Sequence, residues 1–164
     1  MKRIAIILVF LLIILHPACK DEVICTQDVV SRVDAGLYVR DHAAQRDTVL
    51  NGVTFYGVFR PDSLLYDSSQ GIRRIKFPLP QGAGEYTGFV MRAGSLADTI
   101  LIFHDSRQEL VSFSCGFTTV HEIYGLGYGN HIIDTIEITN PFVDLSDEEN
   151  LKIYIRPAVG DTAV

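Results

Sequence analysis

Thr99-Ile100-Leu101-Ile102-Phe103, His104-Asp105-Ser106-Arg107 and Glu109-Leu110-Val111-Ser112-Phe113-Ser114-Cys115 decide the fold. The first run is β-branched and aromatic, and the middle one is polar. The last alternates, with Val111, Phe113 and Cys115 at every second position. Side chains two apart share one face of a strand, so this reads as a hairpin with one buried face. The polar tetrapeptide is its expected turn, with Leu101 and Phe103 on one face of the outgoing strand. Outward from it, further strand-sized runs recur, separated by turn signals about every 8–12 residues. They are Val29–Arg40, Val53–Phe59 after Asn51-Gly52, Ser63–Tyr66, Arg73–Leu79, Tyr86–Arg92, His131–Thr139 and Leu151–Arg156. Only Thr118–Tyr124 is expected to make a helical turn. Many short strands and almost no helix predict an all-β, antiparallel β-sandwich, immunoglobulin-like or Greek-key, with a small barrel as the alternative.

The chain of 164 residues carries 14 Lys plus Arg against 20 Asp plus Glu, a net charge of −6. That length suits one domain. A nucleic-acid or anionic-lipid face would need clustered Lys and Arg, so the acidic balance argues against both. With no Trp, any carbohydrate platform would use Tyr or Phe.

Residues 1–18 read as an export leader. Lys2 and Arg3 precede the apolar run Ile4–Leu15, 12 residues long, which then meets His16-Pro17-Ala18-Cys19. A membrane-spanning helix needs roughly 20 apolar residues, whereas a signal-peptide core needs about this many. Cys19 in this position resembles the lipid-modified cysteine of bacterial lipoproteins. The resemblance implies cleavage before Cys19, a diacylglyceryl thioether on its sulfur and an outer-membrane anchor; an ordinary secreted protein with a free Cys19 is the alternative. Cleavage would take the net charge from −6 to −8. Lys20-Asp21-Glu22 resembles the surface-export signal of Bacteroidota lipoproteins, which implies surface display; the periplasmic leaflet, with a plain charged linker, stays open. The organisation expected is a signal peptide over 1–18, a lipidated tether over 19–24, the sandwich over 25–157 and a flexible tail over 158–164.

The chain has three Cys. With Cys19 lipidated, Cys25 and Cys115 remain in an oxidising compartment, where a disulfide is the simplest outcome. The alternative, Cys115 as a nucleophile, would need a base and a positive site, and His121 is only its nearest histidine in sequence. Asp47-Thr48, Asp62-Ser63, Asp98-Thr99, Asp134-Thr135 and Asp161-Thr162 form a local repeat. Asp there would cap turns through backbone N–H groups before a strand starts. The same pairs resemble the O-glycosylation acceptor of Bacteroidota exported proteins.

Asp21-Glu22-Val23-Ile24-Cys25, Pro61-Asp62-Ser63-Leu64-Leu65-Tyr66, Ser114-Cys115-Gly116-Phe117, Asp134-Thr135-Ile136-Glu137-Ile138 and Leu151-Lys152-Ile153-Tyr154-Ile155 come in an order and spacing that resemble a Bacteroidota outer-membrane lipoprotein family known only as a domain of unknown function. The resemblance implies an envelope lipoprotein working beside an outer-membrane β-barrel.

Chemical motifs are weak. Gly125-Leu126-Gly127-Tyr128-Gly129 lacks the strand–turn–helix context of a dinucleotide site and the Gly-Lys-Ser/Thr of a phosphate loop. It reads as a flexible Gly-rich loop, and with Phe117, Tyr124 and Tyr128 as a candidate interaction loop. His42, His104, His121 and His131 have no metal-ligand spacing and read as lone surface or loop histidines. Asp144–Glu149 is oxygen-rich but lacks the Gly of a calcium loop. Gly-x-Ser-x-Gly is absent, and no pair of carboxylates is singled out. No catalytic residue, metal or cofactor is therefore assigned. The function expected is a non-enzymatic, lipid-anchored accessory or scaffold subunit that contacts an outer-membrane or envelope protein. The alternative is a surface binding module for glycan or another extracellular ligand.

Overall fold

The computed structural model describes Cys25 and residues 28–41, 44–81 and 86–157. The leader over 1–18, Cys19 and its tether, His42, Gly82-Ala83-Gly84 and the tail over 158–164 lie outside the described residues.

Two sheets pack face to face as a sandwich. The smaller is centred on β1 (Val33–Asp41). On one side β1 pairs with β11 (Leu151–Ile155) in parallel, from Ala35 opposite Leu151 to Tyr38 opposite Tyr154. On its other side two short strands share the edge. β5 (Arg74–Phe77) pairs with Val33–Gly36, and β2 (Ala44–Asp47) with Tyr38–Asp41. β9 (Ile133–Ile138) lies beyond β11. The larger sheet contains β3 (Val53–Gly57), β4 (Leu64–Ser69), β6 (Thr87–Ala93), β7 (Leu96–Ser112), β8 (Gly116–Tyr128) and β10 (Phe142–Val143). Its order is β10-β8-β7-β6-β3-β4. All pairings are antiparallel except β1 with β11.

Period-2 alternation builds the interior. In β5, Ile75 and Phe77 are buried between exposed Arg74 and Lys76. Phe77 of the smaller sheet meets Phe55 and Phe89 of the larger, with ring centroids 5.0 and 4.6 Å away. Val33, Leu37, Ile153 and Ile155 face Val53, Met91, Ile100 and Ile102 in the same cluster.

The central hairpin differs from expectation in length and phase. His104–Arg107 is no turn; it continues β7, which runs 17 residues and pairs with β8 from Ile100 to Ser112. The chain reverses at Phe113–Cys115 instead. There Gly116 supplies the left-handed φ of 72° and Ser112 Oγ accepts the Cys115 N–H at 2.9 Å. His104–Arg107 is polar but holds neither Gly, Pro nor Asn, so nothing in it forces a reversal. The buried face of β7 carries Ile100, Ile102 and His104, whereas Leu101 and Phe103 lie half-buried on the opposite face. Thr118–Tyr124 is strand rather than helical turn, which suits its β-branched Thr118, Thr119 and Val120. Asn51-Gly52 does turn, with φ of 68° at Gly52, but it leads from the smaller sheet into the larger instead of closing a hairpin.

Candidate interaction surface

Beyond His104, β7 and β8 continue with the short β10 on the far edge of β8 at His121 and Glu122, and from Arg107 and Val120 onward as a two-stranded ribbon; the β7 side, Asp105–Leu110, is exposed. At its end Cys115 is bonded to Cys25, with Cα atoms 4.9 Å apart across a sequence separation of 90. Val29–Ser31 lies along β8: the Thr118 hydroxyl donates to Val29 O, and Ser31 Oγ donates to Thr119 O. The N-terminal end of the domain is thereby fixed to the hairpin tip. Phe113 is wholly exposed at that tip (101%), and the cross-strand pair Leu110 and Phe117 is 50% and 64% exposed.

Phe117, Tyr124 and Tyr128 were expected in one flexible loop. They are spread along a single strand. Gly125, Gly127 and Gly129 belong to β8 or follow it directly, and their spacing of two is the strand period itself. The first two stand opposite Phe103 and Leu101. A Cβ on either would meet those side chains at 3.5 and 3.6 Å, an ordinary contact distance, so Phe103 and Leu101 lie directly against the glycine backbone. Register slips by one residue at Phe103/His104, leaving Tyr124 as the extra residue on β8. The bulge sets Tyr124, 60% exposed, beside Phe103 at 6.3 Å, and Phe103 in turn meets Tyr86 at 5.8 Å. Tyr128 stands farther along, its hydroxyl 3.1 Å from Thr135 Oγ1.

On the inner face of the same bulge, two histidines expected on the surface are buried. His104 and His121 meet edge to face at 5.1 Å. Ser106 Oγ bridges them, 2.8 Å from His121 Nδ1 and 3.3 Å from His104 Nδ1, and Thr87 Oγ1 lies 2.9 Å from His104 Nε2. With both rings neutral, two relays of opposite sense satisfy all four groups: Thr87 to His104 to Ser106 to His121, or the same bonds with every donor and acceptor exchanged. Burial pushes His121 down to about 4, assisted by the adjacent His104 ring. Burial also lowers His104, against the pull of Asp105. A Ser–His contact is half of a nucleophilic dyad, but the second partner of His121 here is another imidazole rather than an orienting carboxylate. Among the described residues no three His, Cys, Asp or Glu side chains gather as metal ligands.

Asp98 holds the β8–β9 connection. Its side chain is fully buried and accepts the backbone N–H groups of His131, Ile132 and Ile133 at 3.0, 2.7 and 2.8 Å, with His131 Nδ1 at 2.9 Å. Burial alone would raise this carboxyl. The three N–H groups and the His131 ring outweigh it and hold the carboxyl below its ordinary range. The Asp-Ser/Thr repeat was expected to cap a local turn before its own strand; Asp98 instead lies within β7 and caps a turn distant in sequence. Gly129 packs so closely on Asp98 that a Cβ there would collide with the carboxylate.

The outer face of the smaller sheet is polar and internally paired. Buried Asp34 takes Arg74 Nε at 2.7 Å and has Lys76 Nζ at 3.2 Å, while Lys76 also reaches Asp147 at 2.8 Å. Tyr38 donates to Glu149 at 2.6 Å; burial and that carboxylate push its hydroxyl up to about 12. Arg40 bonds Glu137 at 2.7 Å and stacks 4.2 Å over the Tyr154 ring. These groups pair with one another, but among the described residues Asp34 Oδ2 is buried without a hydrogen-bond donor and has only the Lys76 charge beside it. On the larger sheet, an open cleft of about 730 Å³ lies over Thr54, Tyr56, Gln70 and Arg92.

A family of unknown function, DUF6452, matches residues 52–155. The chain belongs to this family. No curated protein and no solved structure matches it. The span matched to DUF6452 begins one residue before β3 and ends with β11, so it takes in the long hairpin, Cys115, the histidine pair and Asp98. It excludes β1, the strand on which the smaller sheet is centred, and Cys25, the partner of Cys115. The tip of this DUF6452 domain is thus tied to a segment outside the matched span.

Proposed function

We propose that the protein is a non-enzymatic, lipid-anchored envelope protein, held in the outer membrane through Cys19. It acts as an accessory or scaffold subunit by contact with an outer-membrane β-barrel or envelope complex. The export leader, Ala18-Cys19 and the resemblance to Bacteroidota lipoproteins support the anchor. The observation that carries the contact is the outward cluster of Tyr86, Phe103 and Tyr124, three adjoining rings of which Tyr86 and Tyr124 are exposed and Phe103 is half-buried. Aromatic residues of this kind are enriched where proteins meet. Lys20-Asp21-Glu22 supports display at the cell surface.

The test is a pull-down of the tagged full chain from its own membranes in mild detergent, read by mass spectrometry. A stoichiometric membrane partner that is lost from Tyr124→Ser and Phe103→Ser is the expected result; a protein recovered alone overturns it. Fatty-acid labelling lost in Cys19→Ala checks the anchor, and unchanged membrane retention of that variant refutes it. The cleft over Tyr56, Gln70 and Arg92 favours a second reading, a glycan-binding module. Glycan-array binding lost in Tyr56→Ala would establish it.

A further inference from the structure

We propose that the tip of the β7–β8 hairpin rests in the lipid surface, with Phe113, Phe117 and Leu110 as its inserted side chains. The inference rests on the lipid-anchor reading above and adds to it where the domain touches the bilayer.

Two independent observations meet at the tip. The first is chemical. From Leu110 to Phe117 the chain carries no charged side chain: Leu110-Val111-Ser112-Phe113-Ser114-Cys115-Gly116-Phe117. Among the described residues Phe113 is wholly exposed, and Phe117 and Leu110 are at least half exposed. Apolar rings held out on a closed turn, with small hydroxyls between them, suit the headgroup boundary of a bilayer better than water.

The second observation is positional. The disulfide fastens the tip to Cys25, and Val29–Ser31 lies along β8. The tether therefore leaves the domain at the tip. Six residues of sequence reach from Cys19 to Cys25 and can span at most ~20 Å. An acylated Cys19 sits at the bilayer surface, so Cys25 and the tip bonded to it are held within ~20 Å of lipid. A short tether and an uncharged aromatic turn at its point of attachment give the domain a second foot on the membrane. The aromatic cluster of Tyr86, Phe103 and Tyr124, farther up the ribbon, then stands clear of the lipid.

The chain has no Trp, so Phe113→Trp in the full lipidated protein is a single fluorescent reporter. Phe59→Trp, at an 88% exposed position in the β3–β4 turn, is the control. Both are reconstituted into phosphatidylethanolamine–phosphatidylglycerol vesicles, with and without brominated acyl chains. The expected result is blue-shifted F113W emission, largely lost with brominated lipid, while F59W stays red and unquenched. F113W emission that matches F59W in vesicle-bound protein overturns the proposal. So does F113W that is shielded from aqueous quencher in native membranes yet indifferent to brominated lipid, which assigns the tip to a protein. Mass spectrometry of the N-terminal peptide separates the two levels. An acylated Cys19 with unquenched F113W refutes the tip contact alone, whereas an unacylated Cys19 refutes the anchor and the tip contact together.

Discussion

Acidification from about pH 7.5 to about pH 5 should destabilise the fold through its buried histidine pair. His121 is 2% exposed, and its only charged outcome would place an imidazolium 5.1 Å from a second imidazole. Its folded-state value is pushed down from 6.5 to about 4, first by burial and then by His104. The unfolded chain, with an ordinary histidine near 6.5, binds the proton first. The depressed folded value therefore gives full stability above about pH 6.5, and that stability is lost as pH falls from there to about 4. A shift of this size corresponds to about 3 kcal/mol at the bottom of the window, and to about 2 kcal/mol by pH 5. The lowered His104 adds to the loss in the same direction. Most carboxylates titrate below about pH 5, so the upper part of the window isolates histidine. Urea denaturation followed by far-ultraviolet circular dichroism should show the midpoint falling by roughly 1 M across this range, given a slope of about 1–3 kcal/mol per M. His121→Gln keeps an acceptor for the Ser106 hydroxyl and should remove a large part of the shift. A native midpoint that does not move, or one that moves equally in H121Q, refutes the reasoning.

Breaking the disulfide by Cys115→Ser should lower stability by on the order of 4–5 kcal/mol in the chain-entropy model for a loop of this length. Cys25→Ser and the double variant should match it, because one bond is lost in each; denaturant midpoints of the three variants check this. Asp98→Ala leaves three backbone N–H groups without an acceptor and should cost at least about 3 kcal/mol by thermal or urea unfolding. Asp98→Asn should also flatten the fall in stability below about pH 4, since a depressed carboxylate gives stability above its unfolded value that is lost as pH drops through the folded one. Gly129→Ala should cost roughly 1–3 kcal/mol by driving a methyl into Asp98, whereas Gly127→Ala, with ordinary contact to Leu101, should stay within about 0.5 kcal/mol.

Strand content and layering were legible because alternation is local: Arg74-Ile75-Lys76-Phe77 states its buried face in four residues. Connectivity was not, because it depends on partners far away. His104-Asp105-Ser106-Arg107 looks like a turn in one dimension; only the register with Val120–Ile123 shows that its polar groups are served by a neighbouring strand. The same holds for the histidines. Nothing near His104 in sequence announces His121, and a one-residue bulge at Tyr124 is needed to bring both rings onto the inner face. The glycine run could have been read correctly. Gly125, Gly127 and Gly129 repeat at the strand period, and Phe103 and Leu101 lie directly against the first two.

That bulge also gives the surface its geometry. Below it β7 and β8 share a buried face; beyond it β8 keeps His121, Val120 and Thr118 buried, while β7 is exposed from Asp105 to Leu110. A two-stranded ribbon alone is marginal in water. Here Val29 and Ser31 bond to Thr118 and Thr119 of β8 and the disulfide closes the far end, so the projection is braced along its β8 edge and at its tip. Bracing of this kind is costly to build into a ribbon that merely dangles. It is what a projection needs if force or contact is to pass between its tip and the body. The ribbon carries the tether and the exposed phenylalanines at its end and the aromatic cluster at its root. Shortening it by deleting paired residues from β7 and β8 should leave the sandwich folded, because Ile100, Ile102 and Ile123 remain in the core. It should also bring the Tyr124 face closer to the membrane. Loss of partner capture by the shortened chain, with the fold and acylation intact, would show that the distance between anchor and contact face matters; capture at full strength would refute it.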